Sequence, residues 1–110
     1  MRILAIEREQ PTPFRPAEPD LLHQEASAVW DLQKQDVIRA IWFALGHRAV
    51  IIMECQNAAE ARQHLATLPL VRCGRVDFTV LELRSYDGFE RLFATANTTP
   101  KPKREEPPEY

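Results

Sequence analysis

The sequence is poor in several features that would otherwise decide its class. Only two of its 110 residues are cysteine, Cys55 and Cys73. They are too few and too far apart for a disulfide framework or a zinc knuckle, and two buried free thiols in a reducing compartment is the expectation. A net charge of −2 gives no basic footprint for nucleic acid. No apolar run approaches the roughly 18 residues that span a bilayer. Met1-Arg2 leads directly into a strand-like run rather than a signal peptide, so the expected location is the cytoplasm, away from membranes. Three histidines without clustered spacing predict no metal site.

What is present fits one soluble globular domain: 45% hydrophobic and 27% charged residues. A chain this short leaves roughly a third of its unfolded surface exposed when folded alone, which favours a core shared with a second copy. Proline is plentiful and divides the chain. PTPFRPAEP holds four of the nine prolines and the tail PKPKREEPPEY another four. Proline lacks the N–H that helices and ladders need, so both segments read as irregular. The tail has almost nothing apolar to bury and reads as disordered. The expected division is a folded domain over 1–95 and a tail over 96–110.

Within the domain, RILAIE opens with a short buried strand over 3–6. Asp20, after Pro19, is a good N-cap for a helix over 21–35. On that helix Leu22, Ala26 and Val29 recur at helical spacing, with Leu21, Glu25 and Ala28 on the adjacent stripe. Asp36 ends it. Residues 37–45 and 49–55 are rich in β-branched and aromatic side chains, which predicts a hairpin closed at Gly46-His47. Asn57-Ala-Ala-Glu60 is a capping box for a second helix, with Glu60 reaching back to the Asn57 amide and Pro69 ending the helix. VDFTVLEL, over 76–83, reads as a last strand, with Val76, Phe78 and Val80 on one side. SYDGFERLF adds a short helix or arm whose Phe89, Leu92 and Phe93 need a surface.

The order β-α-β-β-α-β predicts an α+β, ferredoxin-like fold: a four-stranded antiparallel sheet with two helices on one face. The other face carries Ile38, Trp42, Ile52 and neighbours, an apolar area that normally marks an interface. Two such sheets face to face make a homodimer, the dimeric α+β barrel.

The segment LQKQDVIRAIWFALGHRAVIIMECQNAAEARQHLATLPL resembles the muconolactone isomerase family. The shared pattern is a helix end, a strand with Arg39 and Trp42, the Gly46-His47 hairpin, a capped helix, and Leu68-Pro69-Leu70. The resemblance covers about 21–83. It implies a cofactor-free isomerase moving a proton within a small unsaturated lactone or carboxylated ring, in aromatic compound catabolism. It also implies assembly into a dimer, extending to a ring of dimers. The family's proton shuttle on the first helix matches Glu25. The family's lysine on that helix has no counterpart, because no lysine precedes Lys34; Leu22 or His23 stands near that place. Alternative functions on this fold are a non-catalytic small-ligand-binding or assembly protein, or a cofactor-free cyclase or monooxygenase.

The residues support several site roles beside ordinary structural ones. Glu25, turned toward the sheet, becomes a carboxylate in an apolar cleft, with a pKa raised toward the range of a general base. The bland alternative is a helix-surface glutamate. His47 either fixes the hairpin or stands at a pocket rim as a second catalytic group. Arg39, alternating with Val37 and Ile41, needs an anion: Asp77 or Glu54 of the fold, or the carboxylate of a substrate. Trp42 and Trp30 are core, interface or substrate wall. His23 is a further substrate-binding candidate, though its side chain lies two residues from Glu25 and so off its face; His64 reads as solvated.

Overall fold

The structure is a computed structural model, describing residues 1–9 and 17–93. The tail and residues 10–16 of the proline-rich segment lie outside the described residues, so the expected boundary at 95 does too. The chain forms β1 (Arg2–Glu7), α1 (Pro19–Lys34), β2 (Ile38–Ala44), β3 (Arg48–Glu54), α2 (Ala58–Leu65), α3 (Pro69–Arg72) and β4 (Phe78–Glu82), followed by a 3-10 turn, Gly88–Leu92. The strands make one antiparallel sheet in the order β2-β3-β1-β4. That is the expected ferredoxin-like architecture.

The registers sort the strands into two faces. Ile3 stands opposite Met53, and Ala5 opposite both Ile51 and Val80. All five are buried, and with Ile38, Leu32, Cys55, Ala61, Leu65 and Leu68 they form the core between sheet and helices. The other face carries Leu4, Ile6, Ala40, Trp42, Val50, Ile52 and Leu81, which pair across the same ladders without a helix over them. Trp42 is 59% exposed there.

The N-terminus of α1 differs from the expected one. Glu18, not Asp20, is the N-cap, in extended conformation; Pro19 opens the helix and Asp20 falls in its first turn. The proline explains the shift. Its ring holds φ in the helical range at the first position and disfavours helix in the residue before it. At the other end Asp36 takes φ 64° and stops the helix.

At α2 the capping box is one residue longer than expected. Asn57 Oδ1 accepts from the Glu60 amide at 2.8 Å, while the Glu60 carboxylate accepts from the Gln56 amide, not that of Asn57. Glu82 of β4 accepts from the Ala58 amide at 2.8 Å, so two orphan donors of this helix are satisfied and the helix is tied to the sheet. α2 stops at Leu65, and Pro69 starts the separate short α3 instead of ending α2.

Arg39 provides the largest correction. Ile38 pairs with Met53 and Ala40 with Ile52, so Arg39 is the extra residue of a β-bulge. The bulge moves Ile38 onto the helix side, where it is 1% exposed, rather than onto the bare face. It leaves Arg39 in solvent, its Nε donating to the Asp36 carbonyl oxygen at 3.0 Å. Cys73 also departs from expectation. Cys55 is buried, but Cys73, capping the short α3, is exposed. Phe89, Leu92 and Phe93 remain exposed around the 3-10 turn, where Tyr86 meets Phe89 edge to face.

Candidate functional site

One stripe of α1 lines a cleft. Leu22, Glu25, Ala26, Val29, Trp30 and Gln33 follow the i, i+3, i+4, i+7, i+8, i+11 spacing of a single helix face, and of these Val29 also packs against the core. Glu25 lies between the core-facing positions Ala28 and Leu32 and the cleft-lining positions Leu22, Ala26 and Val29. Between this face and the sheet lies a cleft of about 480 Å³. Its floor is Glu7 of β1, Ile41 and Phe43 of β2, Ala49 and Ile51 of β3, and Phe78 of β4; Leu68, Leu70 and Val76 close one side and His47 stands at the hairpin end.

Glu25 is half-buried in this cleft, and its Oε1 accepts from the Leu70 amide at 2.9 Å. Leu70 lies in the first turn of α3, where an amide has no partner within the helix, so the carboxylate ties α1 to α3. Burial pushes the Glu25 carboxyl above the ordinary range because the charged form loses water. The Leu70 N–H partly offsets this, and the neighbouring Glu7 adds to the rise.

Glu7 was not among the residues read as candidates. It ends β1 on the same face as Ile3 and Ala5, and its Oε1 accepts from the Ala49 amide at 2.8 Å. The signal available was that alternation: a charged residue continuing the buried face of a strand. Placing the end of β1 at Ile6 removed it from view.

His47 is held by the turn that precedes it. Gly46 has φ 83° and His47 φ 63°, a pair of left-handed residues that reverses the chain after Ala44. Histidine tolerates this region better than bulky or β-branched residues do. Its ring stacks on Phe43, with centroids 4.0 Å apart and 17° between the planes, which fixes it against the mouth of the cleft.

The structure brings Glu25 and His47 to one cleft and leaves the three expected substrate-binding residues outside its lining. Arg39 is turned away by the bulge. Trp42 is on the opposite sheet face because it alternates with Ile41 and Phe43. His23 is exposed, one position off the stripe of Leu22 and Ala26. His64, half-buried on α2, is outside the cleft too. Trp30 does line it. Among the described residues, no group of three His, Cys, Asp or Glu side chains is placed to hold a metal ion. None of the described helices is long and apolar enough to cross a membrane.

No known family model matches the sequence, and no curated protein matches it. Among solved structures the chain is similar to muconolactone isomerase, described at 3.3 Å resolution. The two share 18% identity and a TM-score of 0.63, over 94% of this chain and all of the other. At that identity the likeness establishes the fold.

Proposed function

We propose that the protein is a muconolactone isomerase-like enzyme, shifting a C=C bond in a small unsaturated ring, a lactone by preference, by proton transfer on Glu25. The observation that carries this reading is Glu25 itself: a carboxyl half-buried in a mainly apolar cleft, with its pKa raised by lost solvation. A base so placed removes a proton from the carbon beside a ring carbonyl. The electrons move through the conjugated system, and the same proton returns from Glu25 to the far carbon, so the ring gains and loses no atoms or electrons. Such a positioned acid–base group contributes on the order of 10²–10⁴-fold. His47, stacked on Phe43 at the mouth, is the donor best placed by the hairpin to hold the carbonyl oxygen as charge develops on it. The chemistry calls for no cofactor.

The test is Glu25→Gln assayed on a panel of five-membered unsaturated lactones, following the C=C shift by proton NMR. The variant keeps the acceptor for the Leu70 amide and removes the base, so turnover should fall at least about 100-fold with the fold intact. Unchanged turnover eliminates Glu25 as the shuttle. A second reading, a non-catalytic ligand-binding protein, is favoured by the bond from the Leu70 amide, which gives the carboxylate a structural use. Under it no lactone turns over in either protein.

The active assembly is a homodimer that covers the bare sheet face, with a ring of dimers as the larger form. The face of Leu4, Ile6, Trp42, Val50, Ile52 and Leu81 is contiguous through paired strands, and such an area normally marks an interface. Ile52→Glu should lower the assembled mass in light scattering. A wild-type monomer at micromolar concentration contradicts the dimer.

A further inference from the structure

The cleft beside Glu25 does not end at Glu7. A second depression of about 350 Å³ adjoins it, and Glu7, Leu70 and Val76 line both. Among the described residues the first lining holds no lysine or arginine, whereas the second holds Arg8, Arg48 and Arg75. We propose that the two form one binding channel, in which Arg48 holds a carboxylate carried by the ring substrate while the ring lies beside Glu25. The proposal rests on the reading of the cleft as the functional site, and it names the residue of that site that recognises the substrate's charge.

Arg48 is the first residue of β3, and Glu7 the last of β1. The half-buried Arg48 side chain turns to Glu7, and its Nε and Nη2 both donate to the Glu7 carbonyl oxygen at 3.1 Å. A guanidinium has N–H groups along two edges of one plane, and the carbonyl takes only the edge formed by Nε and Nη2. The edge formed by Nη1 and Nη2 keeps its donors, and their spacing matches the two oxygens of a carboxylate. A neutral carbonyl fixes the guanidinium without cancelling its charge. Among the described residues no carboxylate forms an ion pair with Arg48. A partly buried cation held in this way gains from an anion that enters the depression.

The neighbouring charges leave this role to Arg48. Arg8 is exposed and paired with Asp77 at 3.0 Å. Arg75, half-buried, adds positive charge to the same lining, while Glu9 brings the opposite charge but is exposed to water. The Glu7 carboxylate accepts from the Ala49 amide at 2.8 Å. Glu7 is thus tied through its carboxylate to Ala49 and through its carbonyl to Arg48, two consecutive residues of β3. Glu25 lines the first part of the channel alone, and Arg48 the second alone. A ligand with its carboxylate at Arg48 therefore buries its ring against Ile41, Ile51 and Phe78, and presents a ring carbon rather than its own charge to Glu25. Arg39, which the sequence offered for a substrate carboxylate, lines neither part.

The test uses phenylacetate, a ring with a carboxylate on a one-carbon arm, its neutral counterpart phenylacetamide, and acetate, the arm without the ring. Each is titrated into the full chain at pH 7 and followed by NMR, in the methyl signals of Val29, Ile41 and Ile51 and in the Nε–H signal of Arg48. Phenylacetate should shift both sets, and should bind at least about tenfold more tightly than phenylacetamide or acetate. Arg48→Gln removes the charge, so phenylacetate should lose most of that advantage while phenylacetamide keeps its affinity, which also shows the variant's cleft to be intact. Phenylacetate binding no tighter than phenylacetamide or acetate to the wild-type chain overturns the proposal, and needs no variant to fold. So does a preference unchanged in a folded Arg48→Gln, or the absence of any shift with phenylacetate at millimolar concentration. If the carboxylate preference is missing but Glu25→Gln still loses lactone turnover, this proposal alone fails. If the preference depends on Arg48 and turnover is indifferent to Glu25, only the catalytic reading fails.

Discussion

The helix-facing side of the sheet divides into two halves that share the same strands. In one half Ile3, Met53, Ile38 and Val80 join Ala61, Leu65 and Leu68 in the buried core. A few residues further along, Glu7, Phe43, Ala49 and Phe78 face a cleft under one stripe of α1. Met53 is 0% exposed and Phe43 62%. Backbone pairing is continuous across both halves, so the difference comes from what covers them. The packed half is apolar throughout, because an unpaired carboxylate in a dry core forfeits its hydration with nothing in return. The open half contains both carboxylates, and can, because water and backbone amides still reach them. In this fold the half-buried carboxylates lie where the cover leaves a cleft above the sheet.

The largest effect that separates the halves is a truncation. Met53→Ala should destabilise the fold by about 2–5 kcal/mol, since a fully buried side chain leaves a cavity as well as losing its transfer energy. Phe43→Ala, on the same sheet face but in the open half, should cost well under that, and its effect should show in ligand binding and in release of the His47 ring. Chemical denaturation of the two variants checks this; equal losses mean that the cleft closes over Phe43 in solution. Next in size is the cap of α2, the helix that seals the packed half. Asn57→Ala removes the acceptor for the Glu60 amide and should cost about 1 kcal/mol. Its ligand affinity should remain that of the wild type, because nothing at that end lines the cleft.

The same contrast explains what could be read in the sequence. The packed half was legible: strands of alternating β-branched residues and a capping box at Asn57 are local patterns, and they fix the element order. So was the hairpin end of the cleft, because Gly46-His47 must turn the chain. Arg39 could not be placed, since a bulge is set by how two strands settle against each other and leaves no mark on either alone. Once Arg39 became the extra residue, Ile38 changed face and part of the bare face changed with it; Asp77 pairs with Arg8 instead, while the charge of Arg39 still acts on Glu54. Glu7 was missed for the opposite reason. Its signal was local, a charge continuing the Ile3–Ala5 alternation, but a charged residue is ordinarily taken as the end of a buried strand. Its partners, Ala49 and Glu25, are 42 and 18 positions away and come together only through the sheet and α1.

The smallest effect tests the electrostatics of the open half directly. The Glu25 carboxyl has a higher pKa in the folded chain than its ordinary value of 4.5, chiefly from burial. Between the unfolded and folded pKa values the native state therefore binds more protons than the unfolded state, and stability falls as pH rises through that window. Below it, both states hold the proton and Glu25 contributes no penalty; above it, the folded chain carries the full cost of an ionised, half-buried carboxylate. Glu25→Gln keeps an acceptor for the Leu70 amide and has no charge to desolvate. The variant should accordingly be more stable than the wild type at pH 7, with the difference shrinking to zero as the pH falls to 4.5 and below. Denaturation midpoints of both proteins between pH 4 and pH 8 measure this difference. Removing the Glu7 charge as well, in Glu7→Gln, should raise wild-type stability over the same window by relieving part of the repulsion. If the wild type proves more stable than Glu25→Gln at neutral pH, the Leu70 bond outweighs desolvation. Glu25 would then be a tie between helices whose charge the fold favours, and the open half would lose its claim to a carboxyl poised for proton transfer.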